Sequence, residues 1–192
     1  ALTAARGKAP GANRAAVEAA LLKGAEGLHA EGNSKAAVAI YRDLHGSSGS
    51  EMIRVAAWRG LVISDRSRRA SLVTEALLGE DRALHPVALK TIRELNDPAV
   101  IKTCVSKWSR LPATAQLAVL DAHLRSGANA MSTVRLAMNS PHGAVRVAAW
   151  QGLGEIGDAS AVQPLARAAA SSSGTERDAA REALARLHGQ GA

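Results

Sequence analysis

Residues 145–153 read VRVAAWQGL and residues 53–61 read IRVAAWRGL, the same segment written twice, 92 positions apart. Ninety-two is three steps of about 31, and the intermediate steps are marked as well. Val87-Ala88 with Ile92 and Leu95 repeats Ala148-Ala149 with Leu153 and Ile156. Ala179-Ala180, Leu184 and Leu187 repeat the same four positions once more, and a weaker copy, TAQLAVLDAHL, fills residues 114–124. The units therefore start near Ile53, Leu84, Thr114, Val145 and Glu176. A fixed period in this range marks a stacked repeat array.

Composition says what kind of unit is stacked. Ala and Leu, the strongest helix formers, dominate, while Phe is absent and Tyr41, Trp58, Trp108 and Trp150 are the only aromatics. An all-α fold follows, with a core of many small contacts. No apolar stretch approaches the roughly 18–20 residues needed to span a bilayer, so no membrane partner is expected. The single Cys104 excludes an internal disulfide. The chain opens at Ala1 without an initiator Met or a signal-peptide pattern. A monomer or an excised piece of a longer chain is expected.

The best-preserved copy shows the grammar of the unit. Val145, Ala149, Leu153 and Ile156 recur at helical spacing and form one apolar face. Gly157 offers a C-terminal cap and Asp158 an N-cap for a second helix, whose stripe is Val162, Leu165 and Ala169. Asp97-Pro98 and Ser140-Pro141 both pair a capping residue with a proline suited to the first helical position. Two helices of about 12 residues and two short turns account for one period. The expected core includes Val145, Ala148, Ala149, Leu153, Ile156, Val162 and Leu165, and in other copies Val55, Leu61, Ile92, Leu95, Ile101 and Val105.

These residues resemble HEAT-type repeats, in the short form also found in phycobilisome lyase-related proteins. That form reads approximately D-x-x-V-R-x-x-A-A-x-A-L-G-x-I-G-D-x-x-A-V-x-x-L. Here it is matched by Val145, Arg146, Ala149, Leu153, Gly154, Ile156, Gly157, Asp158, Val162 and Leu165. Ile53, Arg54, Ala57 and Leu61 match the opening of another copy, whose turn is rewritten as SDRSRR. The resemblance implies an α-solenoid, a HEAT/armadillo-like right-handed superhelix of five to six antiparallel helix pairs. Residues 1–13 read as a loose arm, 14–49 as a divergent capping hairpin, and 50–192 as the repeats. Gly46–Ser50, GSSGS, reads as a flexible turn and the best place for an internal hinge.

Catalytic grammar is missing: GxSxG, the P-loop, HExxH and CxxC do not occur. The six histidines lie far apart and read as helix-end and surface residues, so no metal and no cofactor is expected. Cys104 sits on the stripe Ile101, Cys104, Val105, Trp108 and reads as a small buried hydrophobe. Trp58 and Trp150 hold the same repeat position and read as packing between neighbouring units. Arg54 and Arg146 are expected to bond an adjacent turn, such as that of Asp158.

One feature points to function. Residues 98–154 carry Lys102, Lys107, Arg110, Arg125, Arg135 and Arg146 against the single acid Asp121, which accounts for most of the net +7. On a helix read from Pro98 to Arg110, Lys102 and Ser106 face outward with Lys107 and Arg110 on one flank, and Arg135 extends the strip on the next second helix. The resemblance implies that second helices line the concave surface of the solenoid. Lys102, Lys107, Arg110 and Arg135 are thus the candidate partner-binding residues, suited to an acidic protein segment or a phosphate backbone. A non-enzymatic scaffold for protein–protein interaction is the leading expectation. Two alternatives stay open: a nucleic-acid-binding protein like the HEAT-like alkylpurine DNA glycosylases, and an accessory protein like the phycobilin lyases.

Overall fold

Helix-forming residues at helical spacing, punctuated by capping residues, leave each segment one apolar face to bury, and the fold follows from pairing those faces. The computed structural model describes residues 11–126, 129–157 and 159–190, of which 11–13 and 188–190 by backbone alone. Among the described residues there are eleven α-helices, two short 3₁₀ turns and no strand. The fold is an all-α solenoid of helical hairpins. Residues 1–10 of the arm read from the sequence, and the N-cap assigned to Asp158, lie outside the described residues. The chain divides into two compact units, one ending at Thr91 and one beginning at Ile92.

The first unit contains α1 (Gly11–Ala30), α2 (Ser34–Ser47), α3 (Glu51–Ser64), α4 (Arg69–Leu78) and the start of α5 (Leu84–Leu95). Leu21 and Ala25 of α1, Ala37, Tyr41 and Leu44 of α2, and Ile53, Ala57 and Leu61 of α3 form one buried cluster. Asn33 caps α2, its side chain accepting from the Ala36 N–H, and Ser50 caps α3 through the Ile53 N–H. At Gly60 the ring of Tyr41 occupies the space a Cβ would need, so only glycine lets α2 approach α3 this closely.

The Gly-Ser linker between α2 and α3 is tied down rather than free to act as the hinge its composition suggested. Glu18, buried on α1, accepts from Arg14 Nε at 3.0 Å and from the Ser48 hydroxyl at 2.6 Å. Arg14 also donates to the Ser47 carbonyl at 2.8 Å. A buried carboxylate is tolerable only when its lone pairs are satisfied in this way. The sequence could not announce it, because the two halves lie thirty residues apart.

The second unit contains the end of α5, then α6 (Pro98–Val105), a 3₁₀ turn (Trp108–Arg110), α7 (Ala113–Arg125), α8 (Met131–Met138), α9 (Gly143–Ile156), a 3₁₀ turn (Ala159–Ala161), α10 (Val162–Ser171) and α11 (Gly174–Gln190). Helix α9 is its centre, packed against α7, α8 and α11. Val145, Ala149 and Leu153 are buried, as are Leu165 of α10 and Ala179, Ala180 and Ala183 of α11. A Cβ on Gly154 would lie 2.7 Å from that of Ala183, so α9 and α11 touch almost backbone to backbone.

Asp97 caps α6 by accepting from the Ala99 N–H at 2.9 Å, with Pro98 in the first turn. The parallel reading of Ser140-Pro141 is corrected: α9 starts at Gly143 and Ser140 is no cap. Its hydroxyl is buried and donates to Gln116 Oε1 at 2.7 Å, while Gln116 Nε2 donates to the carbonyls of Trp108 and Leu111, each at 3.1 Å. One buried amide thus joins the 3₁₀ turn, α7 and the α8–α9 turn.

Arg54 meets an acid of an adjacent turn as expected, whereas the partner expected for Arg146 needs correction. Arg54 pairs with Asp81, and Arg146 with Glu176 in the first turn of α11, with Nη2–Oε2 at 2.9 Å. Trp150 Nε1 donates to the same carboxylate at 3.2 Å. The hydrogen bonds from Arg146 hold the Glu176 carboxyl below its ordinary range. Trp58 and Trp150 are both buried, and so is Cys104.

The core expectation holds at Val145, Ala149, Leu153, Leu165, Leu61, Ile92 and Ile101, whereas Ala148, Val162, Val55, Leu95 and Val105 are only partly covered. Ile156 is 39 % exposed, because the last residue of α9 runs past the helices that cover Leu153. The two positions therefore separate sharply. Leu153→Ala should cost roughly 2–5 kcal/mol by the cavity rule, and Ile156→Ala under about 1 kcal/mol. Urea unfolding of both variants checks this, and equal losses would contradict the assignment of faces.

Candidate functional site

Charge arithmetic on the second unit decides which cations serve the fold. Of the six basic side chains in 98–154, Arg125 takes the segment's one acid, with Nε–Oδ1 at 3.1 Å and Nη2–Oδ2 at 2.8 Å to Asp121. Arg93 approaches that carboxylate from α5 at 3.9 Å. Arg146 finds Glu176 from beyond the segment. Lys102, Lys107, Arg110 and Arg135 remain. All four are exposed, and among the described residues none forms an ion pair with a carboxylate.

Their supports differ from the sequence reading. Helix α6 stops at Val105 instead of continuing to Arg110, so Lys102 does not share one helix with Lys107 and Arg110. The Lys107 N–H bonds the Cys104 carbonyl at 3.0 Å and the Leu111 N–H bonds that of Trp108 at 3.1 Å, both tighter than α-helical. The cause is local. Pro112 disfavours a helical Leu111, which is extended at φ −72, ψ 138, and Gln116 takes the carbonyls of Trp108 and Leu111. Trp108 is thereby turned into the core, and Lys107 and Arg110 lie on the turn around it.

Lys102 lines a cleft of about 280 Å³. Pro98, Ile101 and Val105 supply its α6 side, and His123, Ser126, Ser132 and Thr133 supply the other. Arg135 follows Ser132 by three positions on α8, so the two share a helix face. The structure thus brings Lys102 and the helix of Arg135 to one cleft, with Lys107 and Arg110 on the turn that follows α6.

His123 was missed by the sequence reading, which grouped it with surface histidines. It is partly buried, and its Nδ1 is hydrogen-bonded to the buried Thr133 hydroxyl at 2.8 Å. Burial lowers its pKa from the ordinary 6.5. His29 and His45 are also partly buried and bonded, His29 Nδ1 lying 3.1 Å from Ser64 Oγ and 3.3 Å from Ser34 Oγ. That serine–histidine contact has no nucleophilic geometry around it. Ser64 closes α3 at its carbonyl end, where the helix dipole opposes a developing alkoxide. Among the described residues, no group of three or more His, Cys, Asp or Glu side chains could hold a metal ion.

The profile of the HEAT repeats matches residues 86–185, just over half of the chain. The chain belongs to the HEAT-repeat family. A comparison with curated proteins gave no match. HEAT repeats generally serve as protein-interaction scaffolds and are typically non-enzymatic. No helix among the described residues is long and apolar enough to cross a membrane.

The depressed pKa of His123 has a thermodynamic consequence. The unfolded chain takes up this proton near pH 6.5, and the folded HEAT repeat resists it. Its contribution to stability is therefore complete above the unfolded value and is lost as pH falls below it. His123→Gln should remove that part of the acid sensitivity. The difference in urea midpoint between the two proteins should change between about pH 7.5 and about pH 5.5. A pH-independent difference would show that the imidazole titrates alike in both states.

Proposed function

We propose that this HEAT-repeat chain is a non-enzymatic adaptor that binds an acidic protein segment through Lys102, Lys107, Arg110 and Arg135. The observation that carries this reading is the sorting of cations in the second unit. Arginines that support the fold hold carboxylates, whereas these four stand exposed without an acid. An unneutralised group of like charges is a poor stability device and a good recognition one, because it raises the local concentration of an anionic partner and steers its approach.

Nucleic acid is the second reading, favoured by the same positive balance. The aromatic complement speaks against it. Trp58, Trp108 and Trp150 are all buried, so none offers a face for base stacking. Asp121, the one acid available as a general base in the central segment, is occupied by the fork of Arg125. The lyase-like accessory reading rests on repeat resemblance alone.

Reversing all four cations to Glu should weaken binding of an acidic peptide, such as oligoglutamate, by roughly tenfold or more. Folding stability should shift by no more than about 1 kcal/mol, since exposed charges contribute little. Fluorescence anisotropy and urea unfolding give the two readouts. A short DNA duplex, titrated in parallel at several salt concentrations, separates the readings. Duplex binding that outcompetes the peptide and falls by about 0.9 log units per phosphate contact per log unit of salt would overturn the proposal. Base excision from alkylated DNA that disappears in Asp121→Asn would also overturn it and make the chain an enzyme.

A further inference from the structure

Resting on that reading, we propose that the cleft between α6 and α8 is an anchor slot for one aliphatic side chain of an extended acidic peptide. The slot is divided by chemistry. Its α6 wall is hydrocarbon, from Pro98, Ile101 and Val105, and its other side is formed by His123, Ser126, Ser132 and Thr133. His123 Nδ1 and the Thr133 hydroxyl are bonded to each other at 2.8 Å, which fixes the ring against α8. Burial disfavours the charged imidazole, so His123 offers a carboxylate no ion pair at neutral pH. The formal positive charge at the cleft is on Lys102, an exposed side chain.

This arrangement selects an occupant. An aliphatic group inside gains contact with Pro98, Ile101 and Val105, while a neighbouring carboxylate on the same peptide reaches Lys102. The surface beyond the slot repeats the pairing of grease and positive charge. Leu136, 41 % exposed, follows Ser132 by one helical turn and sits beside Arg135. About 280 Å³ has room for an aliphatic side chain together with part of its own backbone, and is small for the apolar face of a whole helix, which favours an extended segment. A duplex would engage the cations and leave the slot empty, since it carries no aliphatic side chain.

The experiment uses the full chain with three fluorescein-labelled probes. These are a short Glu/Ser/Gly peptide with one central Leu, the same peptide with Ser in its place, and a short DNA duplex. The Leu peptide should bind about tenfold more tightly than the Ser peptide, the gain expected from burying one aliphatic side chain. It should also shift the methyl resonances of Ile101 and Val105. Ser132→Trp fills the slot from an exposed edge and should erase the preference for Leu while keeping charge-driven binding. The methyl shifts on the unaltered chain test the slot independently of whether that variant folds. Equal affinities of the two peptides, both lost on charge reversal, would overturn the slot and leave the adaptor reading standing. Binding of the duplex alone, or of no probe, would overturn both.

Discussion

The structure depends on helices meeting through small side chains. With Phe absent and alanine at so many buried positions, the helices have little to interlock, and they close up until backbones nearly touch, as at Gly154 and Ala183. Each buried methyl contributes only about 0.8 kcal/mol, and a flat alanine face resists sliding weakly. Register therefore has to be fixed by directional bonds. Arg146 and Trp150 converge on Glu176, Arg54 reaches Asp81, Gln116 grips two carbonyls and Ser140, and Glu18 gathers Arg14 and Ser48. Every one of these spans an interval that the apolar pattern alone leaves free to slip.

That division of labour explains what the sequence did and did not disclose. Alanine and leucine positions are local and periodic, so the repeat, the all-α class and buried residues such as Val145, Ala149 and Leu153 could be read directly. The long-range staples pair residues 24 to 30 positions apart, and no local spacing distinguishes Glu176 from any other acid as the partner of Arg146. The reading of Pro98–Arg110 as one helix failed for a related reason. Its apolar stripe persists, but Pro112 and the side chain of Gln116 compete for the backbone at Trp108 and Leu111. Of the candidate site, the charge imbalance was legible and the cleft was not, since His123 and Thr133 meet Lys102 only through three separate helices.

The same arithmetic ties the site to the scaffold. A central segment with six cations and one acid can neutralise few of its own charges, so Arg146 is stapled to an acid from the following helix. Positive charge left over from stapling then collects where the chain makes no demand on it. Lys102 is on the short α6, Lys107 and Arg110 are on the turn forced by Pro112, and Arg135 is on the short α8. Helix-ending signals in the sequence have thus done two things, turning Trp108 inward and leaving its basic neighbours outward.

The convergence on Glu176 makes the stability of α9 depend on the presence of α11. Were α11 to detach, Arg146 and Trp150 would lose a shared acceptor, and the glycine-smoothed side of α9 would meet water. The helix that supplies the acid thus acts as a ligand for the one before it, and fraying would travel inward one hairpin at a time. Heat or protease would be expected to shorten such a molecule from an edge, in steps of about one period, rather than melt it all at once.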